Sequence, residues 1–252
     1  MPADASPTIS AILRETAHRP WPLPAQSWNM VQVWRDLLFA HWKVPAEKIR
    51  PLVPTPLALD TFGGNAWLTV TPFHMSLRFR GLPILTGMAR IPELNCRTYV
   101  TVEGKPGIFF FSLDAASRFA VWGARKFYCL PYFPAQMHTD ARNGAIDYSS
   151  SRIRGGAAVF RGSYAPTSPH RYAKPGSIEH FLAERYCLYT VWRGAVYRGD
   201  IHHLPWPLQD ASAQIEENTV PSVAGIELDA KTPVLTAFVK ELKVLIWPLA
   251  KT

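Results

Sequence analysis

Two groups of side chains in this chain have the types and spacing for acid–base or anion-binding chemistry. Glu93, Asn95, Arg97 and Tyr99 alternate through Ile91–Val102, so a strand places all four on one face. A carboxyl beside a guanidinium and a phenol supplies a general acid or base together with a cation for an anionic ligand. Two readings of that row stand: a solvated sheet face, as antiparallel sheets often have, and a polar pocket or barrel lumen. Glu93 needs burial to become a proton donor or acceptor near neutrality, whereas pairing with Arg97 would make it structural.

The second group lies in Ala120–Met137, where Arg125 interrupts an apolar helical pattern ahead of Leu130-Pro131-Tyr132-Phe133-Pro134. A buried guanidinium beside a rigid aromatic turn reads as a pocket wall or as a packed corner. Arg125 reads better as a buried structural anchor than as a catalyst, because such a charge requires partners. The Tyr132 hydroxyl either enters the pocket or bonds to backbone. His202 and His203 are adjacent, so a strand points them to opposite faces, and no third ligand stands at a metal-site spacing. No metal or other cofactor is expected.

Composition narrows the classes. The 252 residues are 48% hydrophobic and 12% aromatic, enough for one sizeable core. The net charge of +8 comes from 18 Arg and 9 Lys scattered along the chain. With no basic stripe, nucleic acid is not an expected partner; dispersed arginines suit internal ion pairs and one anionic small ligand. No run of apolar residues is long enough to span a membrane, and no membrane partner is expected. The first twenty residues lack the basic and apolar blocks of a secretory signal, so the expected location is cytoplasmic. Cys96, Cys129 and Cys187 are odd in number, lie in apolar patterns and read as reduced thiols.

The elements that must hold these residues are mostly strands. Residues 1–27 read as an N-terminal arm and 28–252 as one domain. Strands are predicted over Gln32–Trp42, Ala66–Phe73, Ile91–Val102, Ile108–Leu113, Tyr186–Arg193, Ala195–Ile201 and within Val234–Trp247. Short helices are predicted at Pro45–Pro54, over Ala115–Phe127 with Asp114 as its cap, at Ile178–Arg185 capped by Ser177, and near Ser212–Glu217. The class is β-rich α+β, with a closed or partly closed antiparallel sheet and a few short helices.

Four stretches carry a resemblance. Glu93–Val100, Phe111–Ala115, Ala124-Arg125 with Leu130-Pro131-Tyr132, and Glu184–Tyr189 together resemble the uncharacterised bacterial YqjF-like family, grouped with the acetoacetate decarboxylase-like superfamily. Arg35-Asp36 followed by Leu52-Val53-Pro54-Thr55-Pro56-Leu57 is similar to the decarboxylase pattern, and Glu93 resembles the decarboxylase strand glutamate. The decarboxylase signature is Gly-Arg-Glu, four residues, then Pro-Lys-Lys; Ala124-Arg125-Lys126 and Pro131-Tyr132-Phe133 occupy those places. The resemblance implies an acetoacetate decarboxylase-like fold with a cavity. It also implies that Arg35 binds a substrate carboxylate, unless it pairs with Asp36 or Glu93.

The departure from the pattern bears on chemistry. The decarboxylases form a Schiff base through the first lysine after the proline, and the second lysine depresses its pKa. Tyr132 and Phe133 form no imine, so a lysine-dependent decarboxylase is not expected. Three functions remain: a binding protein for an organic acid or carbonyl compound; a lyase, hydratase or enolising enzyme using Tyr132, Glu93 and arginines; and a structural or interaction protein, with a homo-oligomer as one form. The expected ligand-binding set is Arg35, Glu93, Arg97, Arg125 and Tyr132, with Glu93 and Tyr132 as catalytic candidates.

Overall fold

A computed structural model describes residues 6–84 and 88–252. Its strands are β1 (Met30–Val44), β2 (Ala58–Leu59), β3 (Ala66–Phe79), β4 (Ile91–Val102), β5 (Lys105–Ala115), β6 (Tyr132–Arg142), β7 (Ala145–Arg152), β8 (Val159–Pro166), β9 (Cys187–Trp192), β10 (Ala195–His202), β11 (Gln209–Asn218) and β12 (Leu235–Lys251). The helices are α1 (Ile9–Arg14), α2 (Ala46–Ile49), α3 (Arg118–Phe127), α4 (Ile178–Ala183) and α5 (Val220–Val223). The first five residues of the expected arm lie outside the described residues.

Two strands branch the sheet. One edge of β5 pairs with β4; its other edge meets β9 at Ile108–Phe109 and β6 at Leu113–Ala115. One edge of β12 pairs with β1; its other edge meets β11 at Ala237–Phe238 and β10 from Leu245 onward. The sheet therefore closes twice. A first ring runs β1-β3-β4-β5-β9-β10-β12, and a second runs from β5 through β6, β7, β8 and β11 to β12. The ladders of β5 with β6 and β9 are parallel, so the sheet is mixed rather than antiparallel throughout.

Strands β1, β3 and β4 belong to both rings, which explains their burial. On β4, Leu94 and Cys96 pack into the second ring with Val70, Tyr148 and Phe160. The alternate residues Glu93, Asn95 and Arg97 face the first ring and are also buried. The solvated-face reading of this row is overturned, because a strand shared by two rings has no outside. Strand β1 keeps both faces in register through a bulge: its pairing with β3 slips by one residue between Arg35 and Ala40, and Asp36 takes a positive φ of 50°. Trp34 and Leu37 consequently both line the first ring, since one extra residue inverts side-chain parity.

Two local expectations fail for identifiable reasons. Ser212–Glu217 is part of strand β11, whose Ala, Gln and Glu residues are drawn into the ladder with β8; pairing overrides local helix preference. Asp114 does not cap α3. It remains in β5, where its carboxylate accepts a 2.8 Å bond from Arg152 Nε with both side chains fully buried. Ser117 caps instead, its hydroxyl accepting from the Ala120 N–H.

Candidate functional site

The first ring encloses a cavity of about 660 Å³. Its lining combines the β4 row of Glu93, Asn95 and Arg97 with Thr71 from β3 and Tyr132 from the start of β6. Phe73, Met75 and Leu77 continue the β3 wall, while Phe110 and Leu113 line it from β5. Register fixes the order along the axis: Arg97 pairs with Thr69, Asn95 with Thr71, and Glu93 with Phe73. Arg97 thus lies deep, and Glu93 stands four residues nearer the end where β5 leads into α3. The α3 side chains Phe119, Trp122 and Phe127 line the cavity and are each more than half exposed. This helix forms the mouth.

Glu93 is 3% exposed, and the Tyr132 hydroxyl donates to its Oε2 at 2.8 Å. Burial pushes the Glu93 carboxyl up to about 8, with the nearby Asp114 charge adding to the rise and the Tyr132 hydrogen bond opposing it. Burial, followed by the neighbouring Glu93 charge, also holds the Tyr132 phenol well above its ordinary range. Near neutrality the pair is therefore two uncharged groups: a carboxylic acid and a phenol in a dry wall. The Tyr148 hydroxyl, reaching from the second ring, donates to the Glu93 carbonyl at 2.8 Å and fixes the backbone beneath it.

Arg97 is 6% exposed and lies over Phe39, with its guanidinium carbon 5.1 Å from the ring centre. Among the described residues no carboxylate lies within ion-pair distance of it, and its Nε has no hydrogen-bond partner. Burial lowers its pKa, opposed by the Tyr99 phenol. A guanidinium keeps its proton even so. Its neighbour His41 is held neutral, its pKa lowered to about 3 by burial and then by Arg97. Asn95 Oδ1 and Thr71 Oγ1 are likewise buried without protein partners. Unsatisfied polar groups are rare in protein interiors, and here they gather on one wall around one uncompensated positive charge.

Two expected site residues lie elsewhere. Arg35 points to the face of β1 opposite Trp34, donates to Glu241 Oε2 at 2.9 Å and to Ser76 Oγ at 2.8 Å, and is about one-third exposed. Its partner is neither Asp36 nor Glu93, because the bulge turns Asp36 toward Lys240 and Arg90. Arg125 is exposed on α3 and does not line the cavity. The buried residue of that helix is Val121, and its aromatic side chains Phe119, Trp122 and Phe127 mark the mouth side. Thr71 and Trp206 line the cavity without having been singled out. The alternation of Ala66–Phe73 carries a signal for Thr71; Trp206 follows a proline loop with no periodicity to read.

The fold is similar to those of solved acetoacetate decarboxylase-like enzymes. An acetoacetate decarboxylase-like enzyme from Sphingomonas wittichii RW1 matches with a TM-score of 0.59 at 14% identity, over 90% of this chain and 94% of that one. The enduracididine biosynthesis enzyme MppR, in its complex with pyruvate, matches with a TM-score of 0.59 at 11% identity, over 90% and 91%. By sequence, the chain belongs to the DUF2071 family, described as an uncharacterized conserved protein, which matches residues 31–242. It is 49% identical over 230 residues to the uncharacterized protein YqjF of Bacillus subtilis (strain 168), covering 91% of this chain and 95% of the relative.

Proposed function

We propose that the protein binds a small organic acid or carbonyl compound in the first-ring cavity without Schiff-base chemistry. One observation carries this reading: Arg97 is a buried cation without a carboxylate partner, set among unsatisfied polar atoms in a cavity wall. A buried charge costs several kcal/mol unless compensated (order of magnitude), and a ligand carboxylate compensates it with paired hydrogen bonds. The uncharged Glu93 and Tyr132, nearer the mouth along the same cavity wall, offer hydroxyl donors to an oxygen of the ligand without repelling an anion. Among the described residues no lysine lines the cavity, which supports binding without an imine. The pyruvate bound by the MppR enzyme is a compound of the same class.

Thermal-shift titration with pyruvate, acetoacetate and aromatic acids tests the reading. At least one acid is expected to stabilise the wild type, and Arg97→Gln to abolish that shift. An equal shift in both proteins would place the ligand elsewhere. Borohydride treatment with acetoacetate is expected to leave the mass of the protein unchanged.

A second reading, that the site turns the ligand over, is favoured by the Glu93 carboxyl, held at about 8 and bonded to a phenol. Such an acid protonates a carbonyl oxygen during enolisation or hydration. Exchange of the α-hydrogens of a bound keto acid with deuterated water is the readout, and Glu93→Gln is expected to stop the exchange while leaving binding intact.

A further inference from the structure

The cavity is far larger than its polar wall requires. At about 30 Å³ of liquid per water molecule, 660 Å³ corresponds to roughly twenty waters. Among the described residues, the lining polar side chains without partners are Asn95 and Arg97 on β4 and Thr71. Phe73, Met75 and Leu77 extend the β3 wall away from them, toward Gln32 and Asn29 at the mouth, whose amide oxygens are taken by Trp34 and Tyr128. Met75 pairs with Ile91, six residues along β4 from Arg97; at about 3.3 Å per residue, this is a wall of about 20 Å. At its far end stand Phe119, Trp122 and Phe127, which line the cavity while remaining exposed. Trp122 meets Phe119 and Phe127 at ring-centre distances of 6.0 and 5.9 Å. An aromatic cluster of this kind on an open mouth presents apolar surface that a monomeric protein ordinarily buries.

We infer that the ligand class is an amphipathic monocarboxylate, with its carboxylate on Arg97 and a long or bulky apolar body running along β3 to the aromatic mouth of α3. This rests on the anion-binding reading above and adds its specificity. Short keto acids satisfy Arg97 but leave most of the apolar wall wet. Each methylene that displaces water from that wall adds affinity until the chain reaches α3.

The test uses the full chain and the fluorescence of Trp34, Trp122 and Trp206, which all line the cavity. Straight-chain acids from butanoate to dodecanoate are titrated alongside pyruvate and decanol. The expected result is a Kd that tightens about fourfold per methylene, or roughly two-hundred-fold from hexanoate to decanoate. Arg97→Gln is expected to weaken decanoate at least tenfold and leave decanol unchanged. Gly123→Phe narrows the mouth on α3; an added Cβ there meets no atom within 4 Å, so the helix tolerates it. It is expected to weaken dodecanoate more than butanoate.

The failures separate. A Kd independent of chain length overturns the amphipathic class, while Arg97-dependent binding of pyruvate or butanoate in the same series leaves the small-acid reading standing. Decanol binding as tightly as decanoate overturns the carboxylate assignment. No binding by an acid of any length overturns both.

Discussion

The Tyr132 hydroxyl donates to Glu93 Oε2 across 2.8 Å, joining the first residue of β6 to the middle of the cavity wall on β4. The contact latches the chain just after α3 to the strand that carries the polar row. It also bears on the protonation of the acid, since this hydrogen bond opposes the rise that burial and the Asp114 charge impose on the Glu93 pKa.

Tyr132→Phe is therefore expected to raise the Glu93 pKa further above about 8 and to cost about 1–2 kcal/mol of stability. Carbon-13 NMR of labelled glutamate carboxyls measures the first effect and urea denaturation the second. A downward shift would mean that the phenol is not the bond that holds the carboxylate form.

The same acid makes stability depend on pH, with a defined sign. Its folded pKa of about 8 lies above the ordinary value of 4.5, so between those values the native state holds a proton that the unfolded chain has released. Stability falls as pH rises through that window. Glu93→Gln removes the dependence. It is expected to be more stable than wild type at pH 8 by on the order of 2–4 kcal/mol, with the difference shrinking toward pH 5. Parallel pH profiles for the two proteins would refute the burial of an ionisable acid.

Asp114 and Arg152 form a fully buried ion pair on the second-ring side, with Arg152 also over the Phe133 ring at 4.1 Å. Asp114→Ala leaves the guanidinium uncompensated and is expected to cost about 3–5 kcal/mol. The matched double change Asp114→Ala with Arg152→Met should recover most of that loss in chemical denaturation.

Arg125→Ala and Arg35→Ala are expected to bind any identified ligand as the wild type does. Arg125 is exposed, and the Arg35–Glu241 pair is about one-third exposed, so each change should alter stability by less than about 1 kcal/mol. Calorimetric titration of both variants checks this. A tenfold loss in either would bring that arginine into the site despite its present position.

Strand period made the polar row legible: Glu93, Asn95 and Arg97 do share one face, because β4 pairs with β3 in unbroken register through them and the irregularity beside Arg97 falls on β5. Its burial was not legible, because covering the face depends on β9, β10 and β12 closing a ring across more than a hundred residues. Arg125 shows the opposite limit. Helical spacing found α3, but amphipathicity cannot distinguish a face turned to a packed core from one turned to an open cavity, and the aromatic side of this helix belongs to the latter. Arg35 was misplaced by a single bulged residue, Asp36, whose left-handed backbone has no strong signature in a run of apolar residues. In β11, Ala213, Gln214 and Glu217 favour helix locally; only the edges of β8 and β12 make them a strand.

The placement of β12 bears on the order of folding. Both rings close on it, and it follows the other described strands in the sequence, so neither ring is complete until it docks. Until then β1, β10 and β11 are paired on one edge only, with β3, β9 and β8, and their open edges are free to pair with other chains. The chain should therefore be most prone to edge-to-edge association before β12 docks, and its cavity exists only once that strand has closed both rings.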